Sequence, residues 1–356
     1  MYQTSIGAHN HRSHRDDDYR LPDPVRPITD DFREAGYFTA NEKGGPGGPG
    51  KTDYNFNFEP GYKVFDGTDW NERAEGQPFY AQVNIFEPHR GRPPDIWSFT
   101  DELPADQRVD PAEVKLPSYY PDDPIVRQDW AGYLDAIALL DKKVGETLQA
   151  IDDQGLRDNT VVIFFGDHGR PMPRDKQFLY DGGIKIPLII RWPGELEPGS
   201  VSDELVQSID LSATSLSLAG IERPDHMEGR IFLGDKKDPS REYIFAARDR
   251  CDETVDRIRC VRDKQYKYIR NFMPERPYTQ LNRYKEASYP TLRQMKRLHA
   301  QGKLTPEQAH FMADTRPEEE LYDTIADPDE VHNLAGSEGH VETLDKMSNV
   351  LNLWIN

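Results

Sequence analysis

Cysteine is almost missing from this chain. Cys251 and Cys260 are the two in 356 residues, so at most one disulfide can form. They could close that loop or remain as two core thiols, and they do not fix the compartment. A basic surplus is missing too. Lys and Arg number 44 against 63 Asp and Glu, a net charge of -19 with a pI near 5.0. Nucleic-acid binding needs clustered cations to neutralise phosphates, so that partner class is excluded. An anionic small molecule is not, because a metal and a few local cations can overcome the global field inside one cleft. Long hydrophobic runs are also missing. Apolar residues make up 36% of the chain, the mean hydropathy is -0.81, and no run reaches membrane-spanning length. A soluble, polar-surfaced protein without membrane insertion is expected. The opening Met1-Tyr2-Gln3-Thr4 has neither a basic region nor an apolar one and is not a signal peptide.

The length suits one large domain, or one large and one small. Residues 1 to 60 are rich in Gly, Pro, Asp, His and Arg and read as loop-dominated surface, with a low-complexity insert at 44 to 50. Gln77 to Phe86 reads as a buried strand that ends at Glu87-Pro88-His89. Residues 93 to 124 read as a long surface excursion. Tyr133, Ile137, Leu140, Val144, Leu148 and Ile151 recur at spacings of three and four and predict a helix, with Gly155 as its stop. Asn159 to Phe165 and Ile186 to Trp192 follow as strands. Strand, helix and strand in alternation predict an α/β fold: a mostly parallel central sheet with helices on both faces. Beyond residue 235 the pattern changes to a small α+β subdomain. It has short antiparallel strands at Glu242 to Ala247 and Tyr266 to Asn271, then helices near 290 to 313 and 340 to 354.

Parallel sheets place ligands at the carboxyl ends of their strands, which is where Asp167, His168 and His89 fall. Asp167 and His168 sit between Gly166 and Gly169, so a metal could approach closely; the plainer reading is that Asp167 caps a turn. A lone His89 after a strand is more often structural. Lys51 and Lys176 could stabilise charge on a transferred sulfuryl or phosphoryl group, whereas most lysines are simply solvated. His9, His11 and His14 match no regular zinc spacing. Arg248, Asp249, Arg250, Asp252, Glu253 and Asp256 read as a dense charged loop. It is either solvated surface or the substrate-reading edge of the small domain.

The series Gly166-Asp167-His168-Gly169, Lys176, Tyr180-Asp181-Gly182-Gly183, Ile186-Pro187 and Trp192-Pro193-Gly194 resembles the sulfatase family of the alkaline phosphatase superfamily. The likeness runs from Met1 to about Leu233. A family-like tail follows at Glu320-Leu321-Tyr322-Asp323, Asp327-Pro328 and Asn333-Leu334-Ala335. Gly36-Tyr37-Phe38-Thr39 and Lys51-Thr52-Asp53-Tyr54-Asn55 look closest to the branch of heparan N-sulfatase and its bacterial relatives. The resemblance implies an alkaline phosphatase-like catalytic domain over 1–235 and a small subdomain over 236–356. It implies one Ca²⁺ held partly by Asp167 with His168 beside it, and sulfate oxygens held by Lys51 and Lys176. His89 would contact or protonate the leaving oxygen, and His9 would lie near substrate; Arg248 and Asp249 are substrate candidates only as members of the charged loop. The partner would be a glycan or small-molecule sulfate ester, and the location periplasmic or secreted.

Two family features are missing. No strand with paired aspartates opens the chain, and no Cys-x-Pro-Ser-Arg or Ser-x-Pro-Ser-Arg motif supplies the residue that becomes formylglycine. The family's Lys-x-His pair reads here Lys51-Thr52-Asp53. The simplest expectation is a sulfatase that lacks its first strand and nucleophile, inactive by itself. A phosphoesterase of the same superfamily and a non-catalytic binder of sulfated glycans are the alternatives.

Overall fold

The computed structural model describes residues 20–44, 48–52, 54 and 56–356. The chain divides into two compact units, each built from two stretches of sequence. The first is Met1–Phe86 with Asp203–Ile244, and the second is Glu87–Ser202 with Phe245–Asn356.

In the first unit, helix α1 (Ile28–Glu34) leads into strand β1 (Phe38–Lys43). β1 pairs in parallel with β2 (Phe79–Asn84), Phe38 opposite Phe79 and Lys43 opposite Asn84. Helix α4 (Ser208–Leu218) packs on α1. The sequence of β1 is polar, which is why residues 1 to 60 read as loop. Its burial is satisfied by side-chain hydrogen bonds instead of apolar contact. Thr39 Oγ1 donates to Asp66 Oδ2 at 2.8 Å, Asn41 Nδ2 to the Gly50 carbonyl at 3.1 Å, and Asn84 Nδ2 to Asn41 Oδ1 at 2.7 Å.

In the second unit, the expected helix is α2 (Pro124–Asp153). Asp123 caps its N-terminus by accepting from the Ile125 amide, and Gly155 follows in the left-handed conformation. Its deeply buried face centres on Asp129, Trp130, Tyr133, Ala136 and Leu139; Ile137, Leu140, Val144 and Leu148 are half-buried. The stretch before α2 is not wholly a surface excursion. Ile96, Trp97, Leu103, Val114, Tyr119 and Tyr120 are buried, the last three in the main core with Trp130, Met172, Phe178 and Tyr180.

Strand β3 (Val162–Phe165) pairs with β4 (Leu188–Arg191) in antiparallel, Val162 opposite Arg191 and Phe165 opposite Leu188. Alternation of strand and helix had suggested a parallel neighbour. The segment joining β3 to β4 doubles back on itself through backbone bonds, described below, and returns the chain at the same end of the strand. A four-stranded sheet completes the unit in the order β5 (Ile244–Cys251), β6 (Thr254–Arg262), β7 (Tyr266–Asn271), β8 (Glu319–Asp323). The dense charged loop of the sequence reading is therefore a β-hairpin. Arg248 and Asp249 lie on β5, Asp252 turns the chain at φ 50, and Asp256 is buried on β6. Helices α5 (Arg283–Ser288), α6 (Pro290–Ala300) and α7 (Pro306–His310) stand between β7 and β8. The last helix, α8 (Val341–Ile355), packs on β6 and β7. Cys251 and Cys260 are both free thiols, and burial pushes the Cys260 thiol up to about 12.

Candidate active site

Asp167 and His168 follow the end of β3. The loop that carries them is fastened by glycines. The Gly169 amide donates to the Gly183 carbonyl at 2.9 Å, and the Arg170 amide donates to the Gly182 carbonyl at 3.0 Å. A Cβ on Gly169 would collide with the Gly182 carbonyl, and one on Gly183 with the carbonyls of Asp175 and Phe178. Close backbone approach, not backbone conformation, is what calls for glycine here. Helix α3 (Asp181–Ile184) is anchored in turn by the four-stranded sheet. Asp181 binds the fully buried Lys267 at 2.5 Å and Arg262 at 3.2 Å, while Lys267 also binds Glu330 at 2.7 Å. Burial alone would raise the Asp181 carboxyl, but Lys267 and Arg262 outweigh it and hold it below the usual range.

The Asp167 side chain is largely exposed, and its Oδ1 lies 3.7 Å from His168 Nε2. His168 Nδ1 is 2.7 Å from the Gly169 carbonyl. A carbonyl only accepts, so Nδ1 carries the proton. In the neutral ring, Nε2 then presents a lone pair to the carboxylate, and two acceptors face each other. Such a pair suits a shared proton or cation. Calcium, however, takes six to eight oxygen ligands. Among the described residues no group of three or more His, Cys, Asp or Glu converges on a metal. The described residues do not by themselves make a calcium site.

Lys176 stands on the loop between Arg170 and Phe178. Its amide donates to the Arg170 carbonyl at 3.0 Å. The loop closes around Asp175, which is completely buried and held by Arg170 at 3.0 Å and by the hydroxyls of Tyr119 and Tyr120 at 3.1 and 3.3 Å. Burial raises the Asp175 carboxyl, with Arg170 and Arg174 opposing. Gln177, next to Lys176, takes a positive φ of 79. The Lys176 ammonium lies 5.8 Å from the centre of the Tyr284 ring, and the His89 ring lies 6.2 Å from the same ring. The structure thus brings His89 and Lys176 to one aromatic side chain.

Arg90 fixes that meeting. His89 Nδ1 is 2.8 Å from the carbonyl of Arg90, whose side chain is buried and fully engaged. It forks onto Asp129 at 2.7 and 3.1 Å, donates to the Pro171 carbonyl at 2.6 Å, and donates to the Ser288 carbonyl at 3.0 Å. One guanidinium therefore ties together the His89 turn, the segment leading to Lys176, the end of α5 and the helix α2. Asp129 also accepts from Trp97 Nε1 at 2.9 Å and Thr291 Oγ1 at 2.6 Å.

The other predicted residues fall as follows. Lys51 lies in the first unit and is exposed. His9 is outside the described residues. Arg248 is buried, not presented on a loop, and Asp249 is engaged in a two-pronged pair with Arg259 at 2.6 and 3.1 Å. Sequence reasoning missed Arg90, Tyr284 and Lys285. Arg90 had a signal in adjoining His89, but the other two had none.

Comparison with known proteins adds the family. The sulfatase family model matches residues 12–221, and the N-sulphoglucosamine sulphohydrolase C-terminal model matches residues 166–288. The chain belongs to the sulfatase family. It is 34% identical to an ulvan-active sulfatase of Formosa agariphila, over 100% of this chain and 65% of that protein. It is 26% identical to human N-sulphoglucosamine sulphohydrolase, over 80% of this chain and 61% of that protein. A solved complex of a protein with its substrate D-glucosamine-2-N,6-O-disulfate superposes with a TM-score of 0.62 at 15% identity, covering 98% of this chain and 91% of that one. That likeness supports the alkaline phosphatase-like fold. The chain spans less than two thirds of the length of the curated relatives it matches.

Proposed function

We propose that this chain carries the sulfate-binding and leaving-group side of a sulfuric-ester or N-sulfo hydrolase that acts on a sulfated sugar. The observation that carries the reading is the convergence of His89 and Lys176 on Tyr284, held by the buried Arg90. Lys176 supplies a fixed positive charge for the sulfuryl oxygens. His89 donates from Nδ1 to a carbonyl, so Nε2 hands a proton to the leaving oxygen when the ring is in its doubly protonated form, and is left with a lone pair afterwards. Asp167 and His168 offer a donor pair for a cation whose remaining oxygen ligands are not among the described residues. Formylglycine and one calcium ion enter this reading from the family resemblance alone; the described residues hold a complete site for neither. Lys51 and His9 are assigned to sulfate and substrate by resemblance; Arg248 and Asp249, the charged-loop candidates, are buried and paired with Arg259 respectively. A periplasmic or secreted location is part of the same reading. The named relatives act on, or were solved with, sulfated sugars, which supports that substrate class.

The test uses purified 1–356. Calorimetry should detect binding of glucose 6-sulfate, weakened at least tenfold by Lys176→Ala. The chain should turn over neither 4-nitrophenyl sulfate nor 4-nitrophenyl phosphate, since it lacks the nucleophile motif. Absence of glucose 6-sulfate binding sinks the sulfated-sugar reading. Hydrolysis of the aryl sulfate sinks the inactivity, and hydrolysis of the aryl phosphate alone transfers the chain to phosphoester chemistry.

A further inference from the structure

Behind the Lys176 loop lies a cavity lined by Gln177, Phe178, Arg248, Thr254, Asn282 and Lys285, among others. It opens between the 173–178 loop, the β5–β6 hairpin and the start of α5, all in the second unit, and its free volume of about 20 Å³ has room for one small ion or one oxygen of a larger anion. Two of the lining groups are cations that the protein leaves poorly served. Arg248 and Lys285 are 7% and 6% exposed, and each charged group lies 4.7 Å from the centre of the Phe178 ring. Arg248 Nε and Nη1 have no hydrogen-bond partner among the described residues. Its Nη2 reaches only Thr254 Oγ1, at 3.3 Å. The carboxylate nearest to Arg248 is Asp256 at 3.9 Å, and that carboxylate is also bound by Arg316. The Lys285 ammonium donates to the Lys176 carbonyl at 2.9 Å, with no carboxylate within ion-pair reach among the described residues. Asp252, the acid at the hairpin turn, accepts from Asn282.

Two like charges buried against one ring, short of acceptors and of counter-charge, are costly. Protein interiors rarely leave such donors orphaned unless a ligand completes them. An anion in this cavity would supply both acceptors and charge. Burial, then Arg248, pushes the Lys285 ammonium down to about 7, a shift that a bound anion would oppose.

We propose that Arg248 and Lys285 form a second anion-binding subsite behind Lys176, entered by one anionic oxygen of a substituent on the bound sugar or by a free halide. The sugar as source rests on the function proposed above; the halide does not. The experiment is calorimetry on purified 1–356 in chloride-free buffer with three probes: sodium chloride, glucose 6-sulfate and glucose 2,6-disulfate. If the sugar fills the subsite, the disulfate binds at least tenfold tighter than the monosulfate. That ratio then falls to near one in Lys285→Met and in Arg248→Met. If a free halide fills it, chloride gives saturable heat in the parent and none in the variants, while the two sugars bind equally. Equal sugar affinities together with no chloride binding in the parent chain overturn the subsite, and that comparison needs no variant to fold. A disulfate excess that survives both substitutions overturns it as well. Chloride binding without any sugar binding leaves the subsite standing and removes the sulfated-sugar reading.

Discussion

Arg90 and Asp129 show how much of the site hangs on two side chains that touch no substrate. Both are buried, and their pairing is completed by carbonyls, an indole and a hydroxyl. Removing one partner strands the other's charge. Arg90→Met should therefore cost about 3–5 kcal/mol, measured by urea unfolding, and should weaken glucose 6-sulfate binding because His89 and Lys176 lose their common tie. Lys285 makes a pH-dependent prediction. Its folded value, about 7, lies below the ordinary 10.5, so between those values the unfolded chain binds more protons and stability falls as pH falls. Lys285→Met should flatten the stability profile from pH 10 down to 7. Glu42 acts in the opposite sense. Burial, with Asp69 nearby, lifts it from 4.5 to about 7, so its contribution is present at low pH and lost as pH rises through 7. Glu42→Gln should melt with the parent at pH 4.5 and above it at pH 8.

At the scale of elements, the glycine clasp is the clearest device. Gly169, Gly182 and Gly183 let two backbone segments touch, and Asp181 pins one of them to the four-stranded sheet through Lys267 and Arg262. The ordered spacing of these residues was legible in the sequence because the clasp needs both the glycines and a set loop length. Gly183→Ala should open it. We expect a loss of about 1–3 kcal/mol in thermal unfolding, with the fall in glucose 6-sulfate affinity exceeding that of a surface Gly145→Ala control, since Gly145 faces open space. Elements without an apolar signature were not legible. β1 is a polar strand satisfied by side-chain bonds, and the β5–β6 hairpin buries charges that pattern reading assigns to solvent. The antiparallel β3–β4 pair was misjudged for another reason: its partner is chosen by the folded-back loop, not by the strand sequences.

At the scale of the whole molecule, two units each assemble from separated stretches, so no scan along the chain reveals them. The chain spans 65% and 61% of the length of the two curated relatives described. The expected absence of aryl sulfate turnover by 1–356, read by nitrophenol release, belongs at this scale. Covalent catalysis needs a nucleophile, and this sequence lacks a Cys-x-Pro-Ser-Arg or Ser-x-Pro-Ser-Arg motif.

The sequence by itself determined the family, the fold class and the long helix, and it nominated Asp167, His168, Lys176 and His89 as candidates. Those features are written in local spacing: strand ends, glycines and periodic apolar residues. Only the tertiary structure decided that His89 and Lys176 share Tyr284 and that Arg90 holds them. Only it showed Arg248 and Lys285 together in a buried cavity. Burial and ion pairing join residues from distant parts of the chain, and a charge on the page looks the same whether water or protein surrounds it.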